Sequence, residues 1–372
     1  MKFSCNQQSL SKALNIVSKA VTSRTTIPIL KGILLKVNGE GTLTMSASDL
    51  DLSIEKSLKV ENFREGEVVV YAKLFGDIIR KLPNDMITIE FDDGKVLIKC
   101  SNSEFNIIGL PAEEFPNIHI LEDTSDLILF DKDILKDMIR KTSFAASIDE
   151  SRGVITGVLI EMEEKSLNMV ALDGFRMAIA REDMINKERE NIVIPAKILN
   201  EISKIISEAD TDENDQVRLY INEKKAIFMI EDIKVVLRLL EGDFIKYRDI
   251  LPKENQTRIV LNKNDFLDSI ERASLLAKVG KNNLIKLEIT DQNMEITSKS
   301  EEGNVKEEVI ISKEGNDLTI GFNSKYLMDV LKVIEDDEIA MLLNTSISPC
   351  LVEPVLGNQF EYLILPVRIT NN

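Results

Sequence analysis

Three ten-residue segments, KLFGDIIRKL (73 to 82), KILNEISKII (197 to 206) and KYLMDVLKVI (325 to 334), follow one pattern. Each opens on Lys, carries an acid four residues on, follows it with a β-branched aliphatic, and sets a base at the eighth position and Leu or Ile at the tenth. Their starts lie 124 and 128 residues apart, against 124 for one third of the 372 residues. Self-similarity at a fixed spacing marks a repeated architecture, so the chain is restricted to three copies of one unit.

A second set of positions keeps the same register. Leu10, Leu135 and Phe266 each precede an aliphatic residue four places on (Leu14, Ile139, Ile270) and a further position three beyond (Val17, Thr142, Ala273). The spacing i, i+4, i+7 lines one face of an amphipathic helix, so each third contains two helices. Extended segments precede all six: MKFSC, DLILFD and RIVLN before the first of each pair, EVVVYA, NIVIPA and LTIGFN before the second. The stretches between them alternate and are β-branched, as in GILLKV, GVLIEM and IKLEIT, and Asp93-Gly94 within MITIEFDDGKVLIKC predicts a hairpin turn. Each third therefore reads strand, helix, several strands, helix, further strands: an α+β unit. Polar breaks at LEDTSD and PKENQT divide the chain into domains at 1–121, 126–252 and 257–372.

Composition excludes more than it selects. With 44% apolar and 29% charged residues the chain is of the soluble globular class, and no stretch nears the roughly 18 to 20 apolar residues of a membrane span. The opening residues lack the continuous apolar block of a signal peptide, which points to a cytoplasmic protein. Cys5, Cys100 and Cys350 are odd in number and far apart, so buried free thiols are expected rather than a disulfide framework or a zinc site. A single histidine, His119, cannot supply a histidine metal site and offers little acid–base chemistry. Phosphate loop, zinc signature and nucleophile elbow are all missing, which points to a non-enzyme without metal or cofactor.

The stretch ALDGFRMAIA (171 to 180) at first suggests a catalytic acid beside an arginine clamp. Asp173 precedes Lys197 by 24 residues, however, as Asp49 precedes Lys73 and Glu301 precedes Lys325. An acid repeated in three copies belongs to a strand-to-strand turn sooner than to one catalytic site. Gly174, Phe175 and Arg176 are peculiar to the second copy, which makes them the place to look for a partner.

Charge is unevenly spread. The net charge is −17, yet the six helical windows (9–21, 73–82, 132–142, 197–206, 263–273 and 325–334) together carry +7, which leaves −24 for the rest. Dispersed lysines and arginines on helices favour loose contact with phosphates and no reading of bases. With no Trp and 5% aromatics a stacking platform for single strands is not expected, and duplex DNA is the better target.

In these residues the chain resembles the beta subunit of bacterial DNA polymerase III, the sliding-clamp family. The likeness runs the whole length, through MKF, SRTTIPIL (23 to 30), SASDLDLSIE, LPAEEFP (110 to 116), ALDGFRMAIA, YRDILP (247 to 252), IGFNSKYLMDVL (320 to 331) and EYLILPVRI. The resemblance implies three clamp-fold domains, each with two helices packed on antiparallel sheets, helices inside and sheets outside. It implies two chains joined head to tail as a homodimeric ring around double-stranded DNA. Its partners would be the polymerase alpha subunit, the clamp loader and other proteins with clamp-binding motifs. Retention by a ring is topological, so weak phosphate contacts suffice.

By family pattern Arg24 and Arg152 approach DNA, and Arg80, Lys197 and Lys204 join them from the helical windows. Asp149, Val154 and Ile155 depart from the polar or aromatic residues that relatives carry there. The resemblance also implies an apolar pocket between the second and third domains that takes short linear motifs. Its wall comprises Ile155, Leu172, Gly174, Phe175, Arg176 and Met177, then Ile245, Ile250, Asn323, Tyr326 and Ile347, and finally Leu363, Ile364, Leu365, Pro366, Val367 and Arg368. An apolar cleft bordered by strands can accept the aliphatic and aromatic anchors of an extended peptide. Phe175 stands where histidine is common in the family and Leu172 where a small polar residue is common, and Thr370, Asn371 and Asn372 lengthen the tail. Two other functions compete: an acidic three-domain scaffold that binds peptides without encircling DNA, and a hydrolase built on Asp49, Asp51 and Asp173.

Overall fold

The computed structural model describes residues 1–22, 25–118, 127–184, 191–209, 216–222, 224–280 and 282–369; Arg24, His119 and the tail from Thr370 lie outside the described residues. Among those described are six α-helices, two in each third: α1 (Gln7–Val17), α2 (Ala72–Lys81), α3 (Lys132–Thr142), α4 (Ala196–Glu208), α5 (Lys263–Ala277) and α6 (Ser324–Leu331).

The first helix of each third begins in the same way. A strand, Lys2–Asn6, Leu127–Asp131 or Thr257–Asn262, ends on Asn6, Asp131 or Asn262. The side-chain oxygen of that residue accepts from a backbone N–H of the first turn, on Gln8, Asp133 or Asn264, and so satisfies a donor that the helix cannot. Leu10, Leu14 and Val17, Leu135, Ile139 and Thr142, and Phe266, Ile270 and Ala273 are all buried, as the spacing requires. In the second helices the repeated acid and base become an ion pair one turn apart: Arg80 donates to Asp77 at 2.9 Å and Lys204 to Glu201 at 2.8 Å. The third copy breaks the pattern, because Asp329 accepts from Arg176 and Lys332 turns to Glu271 of α5 at 2.8 Å.

Two compact units result, Met1–Leu135 with Glu201–Leu239 and Lys136–Asn200 with Leu240–Asn372. They divide the middle third because its strands continue the sheets of both neighbours. In the first unit Leu127–Asp131, Gln216–Ile221, Lys225–Ile230 and Ile233–Arg238 extend an eight-stranded sheet into Leu52–Lys59 and Thr42–Ser48, with Val235 opposite Ile54 at the join. That unit also holds a five-stranded sheet, in which Asp93 and Gly94 turn the expected hairpin with φ of 45° and 73°. In the second unit Ser166–Leu172 and Arg176–Asp183 run on through Phe360–Ile364 into a sheet of twelve described strands. At that join Arg176 lies opposite Ile364 and Met177 opposite Leu363. Cys5, Cys100 and Cys350 are buried free thiols. No helix among the described residues is long and apolar enough to cross a membrane.

Candidate functional site

Asp49 and Asp173 build the same turn. Asp49 Oδ1 accepts from the N–H groups of Asp51 and Leu52 at 3.1 and 2.7 Å, and Asp173 Oδ1 from those of Phe175 and Arg176 at 2.9 and 3.1 Å. The residue between is left-handed in both, Leu50 at φ 82° and Gly174 at φ 90°. A carboxylate that caps its own turn belongs to the fold. Asp49 and Asp51 thus sit within the turn rather than side by side on a strand face. The third copy turns differently: Ser300 pairs with Gly303 directly across Glu301 and Glu302, and the Ser300 Oγ accepts from the Glu302 N–H at 3.2 Å as the Ser48 Oγ does from the Leu50 N–H at 3.1 Å in the first. Gly174 therefore repeats the conformation of Leu50 in the first copy, with a different residue adopting it.

Arg176 differs. It is only 8% exposed and donates to Asp173 Oδ2 at 3.1 Å, to Asp329 Oδ2 at 2.5 Å and to the Phe144 carbonyl at 2.8 Å. Its guanidinium carbon lies 5.2 Å from the Phe144 ring centroid and 4.8 Å from that of Tyr326. A buried cation needs that many partners. Phe175, 55% exposed, stacks on Tyr326 with centroids 6.0 Å apart and planes 22° from parallel. Phe175, Tyr326, Arg176 and Phe144 form successive layers, with the outermost ring open to solvent. Burial, with Asp173 beside it, raises the pKa of the Tyr326 hydroxyl and keeps it protonated.

The terminal segment closes over this hairpin. The Leu365 N–H donates to the Phe175 carbonyl at 2.9 Å and the Val367 N–H to the Gly321 carbonyl at 2.8 Å. A Cβ on Gly321 would stand 2.8 Å from the Val367 oxygen, so only glycine permits the approach. Asn323 accepts from the Lys325 N–H at 3.0 Å and caps α6. Ile155, Leu172, Met177 and Leu363 are buried in one cluster with Tyr247 and Leu351, against which Leu365 packs partly buried. Ile364 is buried, Pro366 and Val367 half-buried, and Arg368 exposed. Ile245 and Ile250 stay exposed, as does Ile347 in the turn before Cys350, at the end of the sheet where Cys350 faces Ile364 and Ile364 faces Arg176. The expected pocket residues thus sort into a buried apolar floor, an aromatic stack and exposed aliphatic side chains.

Three residues were missed at this site. Asp329 was visible only as the repeated helix acid, and Phe144 gave no signal. Glu161 did give one, as the lone charge in the apolar strand Gly157–Met162; its carboxylate is buried and accepts from Tyr247 and Arg248.

The residues expected to meet DNA are less uniform. Arg80 and Lys204 are exposed but paired with Asp77 and Glu201, while Lys197 is exposed with no ion-pair partner among the described residues. Arg152 donates from Nη1 to the Asp173 carbonyl at 2.5 Å, so it leans on the turn that carries Phe175. Asp149, held below the usual carboxylate range chiefly by the Ser151 hydroxyl, orders the loop before it. No group of three or more His, Cys, Asp or Glu that could hold a metal ion occurs among the described residues.

Comparison with known proteins gives a consistent result. Family models of the DNA polymerase III beta subunit match at residues 1–119 (N-terminal domain), 130–246 (central domain) and 248–368 (C-terminal domain). The beta sliding clamp of Bacillus subtilis is 36% identical over 382 residues, covering 99% of this chain and all of that one. A crystal structure of a putative DNA polymerase III beta subunit from Eubacterium rectale superposes with a TM-score of 0.93 at 37% identity, covering 99% of each chain. The sliding clamp of Pseudomonas aeruginosa, solved bound to griselimycin, gives 0.93 at 28% identity, covering 99% of this chain and 100% of that one.

Proposed function

The chain belongs to the beta-subunit family of DNA polymerase III, the bacterial sliding clamps, and on that footing we propose that it acts as a homodimer closed head to tail around duplex DNA in the cytoplasm. It does no chemistry of its own; it tethers the polymerase and keeps synthesis processive. Its three domains are taken at 1–121, 126–252 and 257–372. The observation that carries the proposal is the threefold clamp fold matched over the full length. The charge split supports DNA contact, with +7 on the helical windows against −24 elsewhere. Arg24, Arg80, Arg152, Lys197 and Lys204 are the candidates for phosphate contact.

The face around Phe175 is the proposed site for linear motifs of the polymerase alpha subunit, the clamp loader and other clamp-binding proteins, and for griselimycin. A buried apolar floor, exposed isoleucines and an aromatic stack braced by Arg176 support this assignment.

The test of the ring is retention. The protein in solution should have about twice the mass of the 42.0 kDa chain, and once loaded it should stay on closed circular duplex and leave when that duplex is cut. Equal loss from circular and linear DNA would overturn the ring and favour the acidic scaffold. For the site, Phe175→Asp, which changes a ring open to solvent, should abolish griselimycin binding while leaving the dimer intact.

A further inference from the structure

Glu161 is the one charged residue in a strand that is buried along its whole length. A carboxylate in such a place is unfavourable unless it is paired and fully hydrogen-bonded. Here it accepts from the Tyr247 hydroxyl at 2.7 Å, from Arg248 Nη1 and Nη2 at 2.8 and 2.7 Å, and from the Asn168 amide at 3.1 Å. Arg248 Nη2 also reaches Glu163 at 2.7 Å, and its guanidinium lies 5.0 Å from the Tyr247 ring centroid. Asn168 completes the cage at its own expense, since its Oδ1 is left buried without a protein partner.

What this cage holds is a turn that no strand pairing holds. Between the strand ending at Arg238 and that beginning at Thr257, the only regular element is the short 3-10 turn Tyr247–Asp249. The exposed Ile245 and Ile250 flank it. They are tied to it through the backbone: the Tyr247 N–H donates to the Ile245 carbonyl at 2.7 Å and the Ile250 N–H to the Tyr247 carbonyl at 3.1 Å. On its inner side Tyr247 joins Ile155, Leu172, Met177 and Leu363 in the floor cluster. Burial and the bond to Glu161 raise the Tyr247 pKa, so the hydroxyl stays a donor, and the same carboxylate holds the Arg248 guanidinium charged.

Resting on the assignment of the Phe175 face as a binding site, we propose that Glu161 is a positioning residue for that site. Through Tyr247 and Arg248 it fixes the 245–250 turn, so that Ile245 and Ile250 present their side chains beside the apolar floor. Affinity for an extended apolar ligand then depends on a carboxylate that never touches it, because a turn already fixed loses little freedom on binding.

The experiment measures griselimycin binding to the full-length dimer by calorimetry, with thermal unfolding and solution mass recorded for every variant. Glu161→Gln and Tyr247→Phe should each weaken binding about tenfold while the dimer mass is unchanged. Ile250→Ala should weaken binding in the parent protein and add little in the Glu161→Gln background, since the side chain is by then misplaced; strict additivity overturns the proposal. Faster hydrogen exchange at the Ile250 N–H with unchanged affinity overturns it as well, because that is what a bracket of purely structural use would give. Should Glu161→Gln fail to fold, Tyr247→Phe removes a single hydrogen bond and carries the same prediction and the same cycle. Phe175→Asp, at an exposed ring, separates the two levels. If it binds as the parent does, the site assignment falls; if it abolishes binding while the Glu161 and Tyr247 variants bind normally, only the positioning role falls.

Discussion

Arg176 and Asp329 are 153 residues apart in sequence and 2.5 Å apart in space. By the repeat, Asp329 corresponds to Asp77 and Glu201, each of which pairs with a base three residues on in its own helix. In the third copy that acid is withdrawn to hold Arg176 beneath the Phe175–Tyr326 stack, and Lys332 finds Glu271 instead. A local ion pair repeated for helix stability has been converted into a long-range strut at the candidate site.

Removing the strut should be costly. Arg176→Ala takes the guanidinium from Asp173 Oδ2, Asp329 and the Phe144 carbonyl, and breaking a buried pair from one side typically costs about 3–5 kcal/mol. Arg176→Lys keeps the charge but not the fork that reaches three acceptors, so it should lie between the parent and Arg176→Ala. Thermal unfolding of the two variants orders them; equal midpoints for all three proteins would show that Arg176 carries no structural load.

The two equivalent turns predict opposite outcomes for opposite substitutions. Leu50 is exposed and left-handed at φ 82°, a conformation that costs an ordinary side chain about 1–2 kcal/mol, so Leu50→Gly should leave stability level or raise it by up to about 1 kcal/mol. Gly174→Ala introduces that same strain at φ 90° and sets a Cβ 3.2 Å from Arg152 Nη2, so it should lower stability. Urea midpoints measured side by side decide the matter, and a destabilised Leu50→Gly would contradict the equivalence.

Lysines of one helix should differ in their contribution to DNA binding. Lys197 carries no ion-pair partner among the described residues, whereas Lys204 is already paired with Glu201 at 2.8 Å. If both face DNA, Lys197→Ala should reduce the salt dependence of binding by about one counterion, and Lys204→Ala by less. The measurement is affinity for a short duplex across a salt series, and an unchanged slope for Lys197→Ala would remove that residue from the interface.

Stability should fall on the alkaline side. Burial pushes the Cys5 thiol up to about 12, so the folded protein keeps a proton that the unfolded chain releases near pH 8.5 or so. With more protons bound in the folded state, stability is fully present below the unfolded pKa and declines as pH rises toward the folded one. Urea midpoints at about pH 8 and about pH 10 should therefore fall more steeply in the parent than in Cys5→Ala. Parallel slopes in the two proteins would indicate that Cys5 is not the group responsible.

The sequence by itself determined the periodic part of this protein. Helix faces at i, i+4, i+7, the Asn and Asp caps that start α1, α3 and α5, and the Asp49 and Asp173 turns all depend on residues within a few positions of one another. Such local requirements leave their mark at fixed spacing, and three copies make the mark readable. Only the tertiary structure decided how strands of the middle third extend the sheets of both neighbours, and which charges meet across the chain. Arg176 with Asp329, Tyr247 and Arg248 with Glu161, and Leu365 with Phe175 join partners some 85 to 190 residues apart. Apart from Glu161, alone in an apolar strand, either half of such a pair looks, in sequence, like any solvated charge or strand end. Burial is what forces the two halves together, since a lone carboxylate or guanidinium in an apolar sheet has no other way to be satisfied.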